Sequence, residues 1–441
     1  MADKKEDATP RSGDASVLRT VGRVAALAAI PAMFLLVMSP LLLHPWTLGQ
    51  HNWDQMNTQR QVVVTTLERY HQFPFWDPYT CGGHPAWGSL ESAPILLSPF
   101  LPAYLALPLP LAIRVEILGW AILGAIGCWK LTSRFTPSFA LRSLFVVVTL
   151  LNSRWGMQVG AGHSWHLLYA LLPWTLFFFD RSVELGATPH GAWRDRALAG
   201  GCIALMTYGD GIYPVPHTAF ALLLYAAVLA RTTHSTKPLR ALAWTGAIAG
   251  GLAAAKLLPL AESLMRFPRL IKSDEAMWPQ YLYGIFTWRE GDYTASAPFA
   301  TGMWHEWGLY LGWPALIGLV AAIAASHGPR ERALKWAGFV MLSFVLGGFH
   351  PLTPWRILHL FPVFKSQHVP SRWLYAAVIF LACAAVSGAE RWLRRRGDRR
   401  AWLEAALGLG AVALAVQMGT VSREPLAQSF VNPNPAPRAP S

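Results

Sequence analysis

Long apolar windows recur along almost the whole chain and leave little room for a soluble fold. Hydrophobic residues make up 53% of the 441 residues, and charged residues only 14%. About 20 predominantly apolar residues in a helix are enough to cross a bilayer, so each window of that length is a candidate membrane helix. The sequence therefore predicts an all-α polytopic membrane protein with about eleven transmembrane helices.

Polar or proline-containing segments separate the predicted spans. The spans cover residues 18–43, 108–133, 137–153, 164–182, 196–210, 214–231, 240–262, 308–327, 331–349, 371–394 and 400–421. Another apolar stretch, 93–107, contains several prolines, which break helices. We expect this stretch to dip into the membrane without crossing it.

The basic residues indicate the orientation. More than half of the 37 lysines and arginines fall in short segments that share one side of the membrane if the N-terminus is cytoplasmic. Short cytoplasmic loops are enriched in lysine and arginine. We therefore expect a protein of the bacterial cytoplasmic (inner) membrane with its N-terminus inside and, after an odd number of spans, its C-terminus outside. The net charge of +13 then reflects topology and does not indicate a nucleic-acid partner.

Three regions follow from this topology. Residues 1–17 are expected to be a disordered cytoplasmic tail, 18–422 a transmembrane domain, and the Pro-rich segment 423–441 a disordered exoplasmic tail. The first span lacks a cleavage pattern and should remain as a signal anchor. Two long exoplasmic loops are predicted, at 44–107 and 263–307. Of the four cysteines only Cys81 lies outside the spans, so no disulfide framework is expected.

Most of the unusual polar residues belong to predicted exoplasmic segments, which places a candidate site at the outer membrane boundary. Nucleotide sugars are cytoplasmic, so lipid-linked donors are the substrates available on that side. The sequence contains no Gly-rich phosphate loop, Ser-centred elbow or HExxH pair. These absences argue against nucleotide-dependent and hydrolytic functions.

Several segments, in the same order along the chain, resemble the YfhO-type family of membrane proteins. They are FPFWDPYTCGGHPAWGSLESAPILLSPF in the first exoplasmic loop, GH at 162–163 with a proline at 173, GGLAAAKLLPLAES at 250–263, GLYLGWPALIGL at 308–319 and FPVFKSQHVPSRW at 361–373. The resemblance covers roughly residues 45–395, and each motif alone is moderately specific.

That family is grouped with the GT-C superfamily of glycosyltransferases. The resemblance implies a polyprenyl-phosphate sugar donor, an exoplasmic active site, inversion at the anomeric carbon and an envelope glycan, lipid or protein as acceptor. The chain departs from the family pattern at Asp77, where Asn is expected, and at Lys256, where Gln is expected. The first arginine of the last motif is missing, and Lys365 or His368 would supply its charge.

The resemblance gives roles to the carboxylates of the first exoplasmic loop. Asp54 matches the acidic residue that GT-C enzymes carry there and would accept the proton of the acceptor hydroxyl; the alternative is a helix N-cap. Asp77 precedes Pro78, and we favour a turn over a role in substrate binding. Glu91 is either a charge at the start of a helix or a contact to the acceptor.

Candidate phosphate ligands are spread over the later segments. Arg372 would bind the lipid phosphate through its guanidinium or simply snorkel to the interface. Lys256 lies inside an apolar span and needs a partner, which is the lipid phosphate, Glu262 or Asp210. His163 and His166 would bind phosphate or a hydroxyl group, or serve as structural donors.

Two further features concern sugars and metals. Trp76 and Trp304 would stack against sugar rings, although an interfacial aromatic belt explains single tryptophans equally well. No cofactor is required, but a divalent cation is an open alternative because Asp54, Asp77, His84 and His163 are potential ligands. Their spacing shows no ligand motif.

Two other functions compete with the glycosyltransferase. A lipid-linked glycan transporter or flippase would need access from both faces and polar groups at mid-membrane in repeated halves. The sequence has no internal repeat, and its polar residues are concentrated on one side. A non-catalytic protein of an envelope-assembly complex would tolerate loss of Asp54.

Overall fold

The computed structural model describes residues 12–90, 92–184 and 188–431, with side chains described from Ser16 onward. The described chain is 71% helical and contains almost no sheet. It is an all-α membrane-type protein, as the apolar windows predicted. Glu91 and the Pro-rich segment 432–441 lie outside the described residues.

Seventeen α-helices are present in the described part of the chain. They are α1 (Ser12–Leu43), α2 (Trp53–Glu68), α3 (Leu101–Ala106), α4 (Leu109–Thr132), α5 (Phe139–Thr149), α6 (Ser153–Gly160), α7 (Leu172–Ser182), α8 (Pro189–Tyr208), α9 (Pro214–Thr233), α10 (Lys237–Arg266), α11 (Leu282–Thr287), α12 (Trp313–Ala324), α13 (Pro329–Val345), α14 (Pro354–Leu358), α15 (Pro362–Lys365), α16 (Leu374–Arg394) and α17 (Arg400–Phe430). Short 3₁₀ turns occupy Ser164–Leu171, Pro279–Tyr281, Trp304–Glu306, Pro370–Trp373 and Gly397–Arg399.

Six of the described helices are long and apolar enough to cross a membrane: α1, α4, α9, α10, α16 with its preceding 3₁₀ turn, and α17. The other predicted spans are also helical, but they are shorter, broken or more polar. Window 137–153 contains α5 and only the first residue of α6. Window 164–182 begins as a 3₁₀ turn and continues as α7. The count of eleven crossings therefore remains a prediction.

Helices α1 and α17 pack side by side in the same direction. Gly22 approaches Ala405 near the start of both helices, while Arg423 donates to Ser39 Oγ (2.8 Å) near their ends. A Cβ on Gly408 would lie 2.3 Å from the carbonyl oxygen of Gly22. Small residues let membrane helices approach closely and gain van der Waals contact, and these two glycines serve that purpose.

The expected boundary of the C-terminal tail at residue 423 is wrong. Helix α17 continues to Phe430, whose side chain is fully buried and whose carbonyl accepts a hydrogen bond from Thr47 Oγ1 (2.6 Å). Packing against the segment after α1 compensates the entropy lost on ordering this last part of the helix. The start of α1 at Ser12 likewise precedes the expected boundary at residue 17.

The predicted first exoplasmic loop contains helix α2, a small hairpin and irregular chain. In the hairpin, β1 (Trp76–Asp77) pairs antiparallel with β2 (His84–Pro85). The stretch 93–107 folds as turns followed by the short α3, in keeping with its prolines. Bridges such as Ala276–Gly347 and Met277–Ala300 connect the later loops into one layer over the helix ends.

The glycine contact between α1 and α17 can be tested with a pair of variants on one helix. Gly408→Ala places a methyl group against the backbone of α1, and overpacking of this kind typically costs about 1–3 kcal/mol. Gly410→Ala meets no heavy atom within 4 Å, so the higher helix propensity of alanine should leave stability unchanged or raised. Thermal unfolding of both variants in detergent measures the difference, and equal melting temperatures would contradict this packing.

Candidate functional site

A buried ion pair lies among the loops that the sequence predicts to be exoplasmic. Arg372, in the 3₁₀ turn before α16, forms a fork with the Glu306 carboxylate: Nε donates to Oε2 (3.1 Å) and Nη2 to Oε1. The guanidinium also lies over the rings of Trp165 (4.8 Å) and Tyr213 (4.3 Å). Bidentate geometry and aromatic faces are what a buried arginine needs for stability.

Helix α6 supplies two further groups to this pair. Gln158 Nε2 donates to Glu306 Oε2 (3.0 Å) and to the backbone oxygen of His305 (2.8 Å). Arg154 Nη1 donates to the backbone oxygen of Glu306 (2.7 Å). Arg154, Gln158, His163, His305, Glu306 and Arg372 together form what we call the outer charge cluster.

Two histidines complete the cluster on the side away from Arg372. His163 Nδ1 lies 2.8 Å from Gln158 Oε1 and 3.9 Å from Glu306 Oε1. His305 Nδ1 bonds the carbonyl oxygen of Tyr293 (2.7 Å), and its Nε2 lies 3.6 Å from Glu306 Oε1. One ligand atom from each of His163, His305 and Glu306 lies within 4.8 Å of the others, so these three residues could hold a metal ion.

Electrostatics keeps the Glu306 carboxylate charged. Burial alone would raise the pKa of Glu306, but the nearby Arg372 guanidinium holds that pKa well below its usual range. Burial also lowers the pKa of His163 well below its usual value, which favours the neutral imidazole at pH 7. The cluster thus presents one carboxylate, two guanidinium groups and the neutral imidazole of His163.

Two members of this region have unused donors. Arg154 is fully buried, and its Nε and Nη2 have no hydrogen-bond partner among the described residues. The same holds for both ring nitrogens of His166, which is 1% exposed and packed edge-on against Tyr169 and Tyr375. Buried donors without partners cost free energy, and they are typical of sites that bind a ligand.

An apolar groove of about 540 Å³ opens beside the cluster. Leucine, methionine, valine and proline side chains form most of its wall, and cationic residues are placed along it. The residues that line it include Leu90, Lys256, Leu257, Leu260, Leu264, Met265, Arg269, Leu270, Val363, Lys365 and Gln367. We call it the apolar groove.

A turn between α8 and α9 connects the apolar groove with the outer charge cluster. Asp210 lines the groove and pairs with Lys256 Nζ (2.8 Å), while Tyr213 lies beneath Arg372. On the other wall, Gln367 Nε2 donates to the carbonyl oxygen of Ile212 (3.0 Å), five residues before Arg372. Both walls of the groove therefore continue into segments that hold the cluster.

The predicted phosphate ligands have different environments. Arg372 and His163 belong to the cluster, and His166 lies beside it. Three partners were considered for Lys256, and in the structure it pairs with Asp210. Glu262 pairs with Arg266 instead (2.6 Å). His368 lies outside the cluster and pairs with Glu275 (3.3 Å).

The carboxylates of the first loop lie elsewhere. Asp54 is exposed in the first turn of α2, past the N-cap residue Asn52, so it is not the helix cap. Asp77 is buried and accepts hydrogen bonds from Tyr79 N (2.8 Å) and Thr80 Oγ1 (2.5 Å), the pattern of a turn former. Glu91 lies outside the described residues.

The tryptophans and the proposed metal ligands need correction. Trp304 is 1% exposed and its ring packs against Gly308, so it has no free face for a sugar. Trp76 is 52% exposed, so part of its ring is open to a sugar. Asp54, Asp77, His84 and His163 do not form one site: Asp77 and His84 lie 4.0 Å apart in the hairpin, whereas His163 groups with His305 and Glu306.

Nothing in the sequence singles out Glu306, Arg154 or Gln158 as site residues. Glu306 and Arg372 are 66 positions apart, and Gln158 lies 148 positions before Glu306. A usable signal was the WHEW segment at 304–307, because a carboxylate between large aromatic residues in a membrane protein needs a buried partner.

Comparison with known proteins gives no family model that matches this chain and no curated protein significantly similar to it. The resemblance to the YfhO-type family therefore depends on its motifs alone.

The ion pair can be tested by a double-mutant cycle. Glu306→Gln leaves two buried guanidinium groups without their carboxylate, and breaking a buried pair in this way costs about 3–5 kcal/mol. The double variant Glu306→Gln/Arg372→Gln should lose less than the sum of the single losses, because no unpaired charge remains at this pair. Denaturant unfolding in detergent gives the three free energies.

The exposed pair Glu262–Arg266 on α10 serves as the matched control. Its side chains are 60% and 69% exposed, and exposed pairs contribute little. Additive losses in the Glu306–Arg372 cycle, or a loss in Glu262→Gln as large as that in Glu306→Gln, would contradict the role given to the buried pair.

Proposed function

We propose that this protein is an integral membrane glycosyltransferase of the GT-C type. It would transfer a sugar, with inversion, from a polyprenyl-phosphate donor to an envelope glycan, lipid or protein acceptor at the exoplasmic face of the bacterial inner membrane. The observation that carries the proposal is the apolar groove whose walls continue into buried cations. A polyprenyl chain needs an apolar groove, and its phosphate needs cations.

The groove suits an isoprenoid in both chemistry and position. Its walls are mostly apolar side chains, many of them from α10 and from the segment around α15. Lys256, Arg269 and Lys365 offer positive charge along it. Aliphatic walls with a few placed polar groups are typical of ligand sites, and the combination of cations with an apolar channel matches a lipid phosphate.

The leaving phosphate has candidate ligands in the adjoining cluster. Arg154 carries donors that no described residue satisfies, and the Arg372 guanidinium, whose fork is bound to Glu306, adds positive charge beside them. His166, with both ring nitrogens unsatisfied among the described residues, could contribute a hydrogen bond. Positive charge placed where charge develops on the leaving group stabilises the transition state.

Asp54 remains the proposed base. It is exposed and therefore accessible to an acceptor from outside, and it shares a loop with His51, whose ring lies 6.3 Å from that of His305. Glu306 is less suitable, because Arg372 and Gln158 already occupy both of its oxygens and lower its basicity. A carboxylate free of ion pairs is the better proton acceptor.

Helix directions support an odd number of crossings, as in the proposed topology of eleven. The parallel α1 and α17 require an odd number of crossings in all, whereas six apolar helices alone would make them antiparallel. Helix α8 also runs parallel to α10, since Trp193 meets Trp244 (5.2 Å) and Tyr208 OH donates to Leu252 O (2.7 Å). The more polar α8 would then cross the membrane in addition to the six apolar helices.

Transfer can be measured with the full chain in liposomes containing radiolabelled polyprenyl-phosphate hexoses and an envelope extract as acceptor. We expect transfer by the wild type, a loss of at least about a hundredfold in Asp54→Asn if it is the general base, and a similar loss in Arg372→Gln. Glu68→Gln changes another exposed carboxylate on α2 and should retain activity. Size-exclusion chromatography establishes that each variant is folded.

The alternatives give different results. Transfer that persists in folded Asp54→Asn would remove this residue as the base. Movement of labelled lipid between leaflets without transfer would indicate a transporter, and neither activity with any donor tested would favour a non-catalytic assembly protein.

The orientation can be tested with a native cysteine. Cys81 is exposed in the first loop, whereas Cys128, Cys202 and Cys383 are buried or half-buried in helices. A membrane-impermeant maleimide should label the wild type in intact spheroplasts, and Cys81→Ser should abolish the labelling. Labelling that appears only after the membrane is permeabilised would place this loop in the cytoplasm and overturn the proposed orientation.

A further inference from the structure

The outer charge cluster contains an arrangement that its ion pair does not explain. His163, His305 and Glu306 each offer one ligand atom, and these three atoms lie within 4.8 Å of one another. Two histidines and a carboxylate are the ligands of many catalytic zinc sites. The three residues come from the segment between α6 and the following 3₁₀ turn, and from the 3₁₀ turn before α12.

The hydrogen bonds of the two imidazoles leave Nε2 available on each. His305 Nδ1 must carry its proton, because its partner, the Tyr293 carbonyl oxygen, can only accept. Gln158 Nε2 donates to two oxygens, so its Oε1 accepts from His163 Nδ1. Metal-binding histidines usually donate their other ring N–H to an oxygen in this way, which fixes the tautomer and orients the ring.

The separations fit ligands of one ion better than hydrogen bonds. His305 Nε2 lies 3.6 Å from Glu306 Oε1, beyond hydrogen-bond distance. Zinc with bonds of roughly 2.0–2.1 Å in tetrahedral geometry places neighbouring ligand atoms roughly 3.4 Å apart. A shift of a few tenths of an ångström would therefore bring this nitrogen and oxygen to the same metal.

We propose that His163, His305 and Glu306 bind a divalent transition-metal ion, of which Zn²⁺ is the best match. Imidazole nitrogens favour zinc and its neighbours in the periodic table, whereas Mg²⁺ and Ca²⁺ prefer oxygen ligands. Three protein ligands leave a fourth position open to water or substrate, as in catalytic zinc sites.

His51 lies at the open side of this site. Its ring centroid is 6.3 Å from that of His305, and its Nδ1 bonds the carbonyl oxygen of Ala161 (3.1 Å), which again leaves Nε2 available. The backbone of His51 has a φ of 58°, which is uncommon for a residue other than glycine. Such strain is concentrated at functional sites, and His51 is placed to contact a ligand of the metal.

Charge connects this site with the proposed function, on which this step rests. In the cluster one carboxylate already faces two guanidinium groups, so a divalent cation adds to an excess of positive charge. Buried excess charge needs a counterion. A phosphate group on the open position would supply it, so the metal and a phosphate-bearing donor should bind more tightly together than either does alone.

Metal binding is measured on the full chain in detergent, purified with a tag that contains no histidine. After chelation and buffer exchange, titration with Zn²⁺ and elemental analysis give the stoichiometry and affinity. We expect about one Zn²⁺ per chain and an affinity at least about tenfold weaker in His163→Ala and in His305→Ala. His84→Ala, which removes a half-buried histidine from the hairpin, should bind as the wild type does.

The proposal is overturned if the wild type takes up no more Zn²⁺ than His305→Ala does, or if only His84→Ala loses the ion. If the alanine variants fail to fold, electron paramagnetic resonance of the Cu²⁺-loaded wild type decides. Hyperfine coupling to two imidazole nitrogens supports the site, and its absence contradicts it. These measurements use the metal alone, so a failure of sugar transfer leaves their outcome intact.

Discussion

Charge buried in a membrane protein is tolerated only when a partner compensates it, and the outer end of this molecule is organised by that requirement. The Glu306 carboxylate is bound by Arg372 and Gln158, and its backbone oxygen by Arg154. These groups come from α6, the loop before α12 and the start of α16. Pairing therefore fixes segments that would otherwise be free loops.

The opposite end of the bundle follows the same rule with other residues. Asp180, at the end of α7, accepts from Arg134 (3.0 Å), Arg330 (2.8 Å) and Tyr225 (2.7 Å). Glu390 joins Thr136 (2.6 Å) with Arg394 (2.7 Å). Both ends thus use a buried carboxylate to hold several helices. The end that holds Glu306 combines the unsatisfied donors of Arg154 with an apolar groove, and function is assigned there for that reason.

Apolar patterning predicted the helices well because each span is a local property of the sequence. The long α10 follows directly from its apolar window at 240–262, and Asp210 was one of the partners considered for Lys256. The ends of helices were harder to predict: α17 extends to Phe430 because that ring packs against Trp53 (5.6 Å), a contact invisible along the chain. Proline near the tail predicted disorder, but tertiary packing ordered the last turns.

The site was predicted less completely than the fold. Arg372 and His163 were identified through a resemblance of motifs, while Glu306 was missed because its partners are distant in sequence. Trp304 shows the reverse error: its place in an aromatic segment suggested a sugar contact, yet the fold buries it. The sequence indicates that polar groups are concentrated on one side, but only the tertiary structure shows which of them are in contact.

The pairing of α1 with α17 has a consequence for biosynthesis. Membrane helices are inserted as the chain is made, and α1 leaves the ribosome long before the last helix exists. The groove around Gly22 that receives Gly408 therefore stays open to lipid, or to an insertion chaperone, until α17 has been made. Packing of α1 against α17 is then a late event, and it makes the assembly of the bundle dependent on α17.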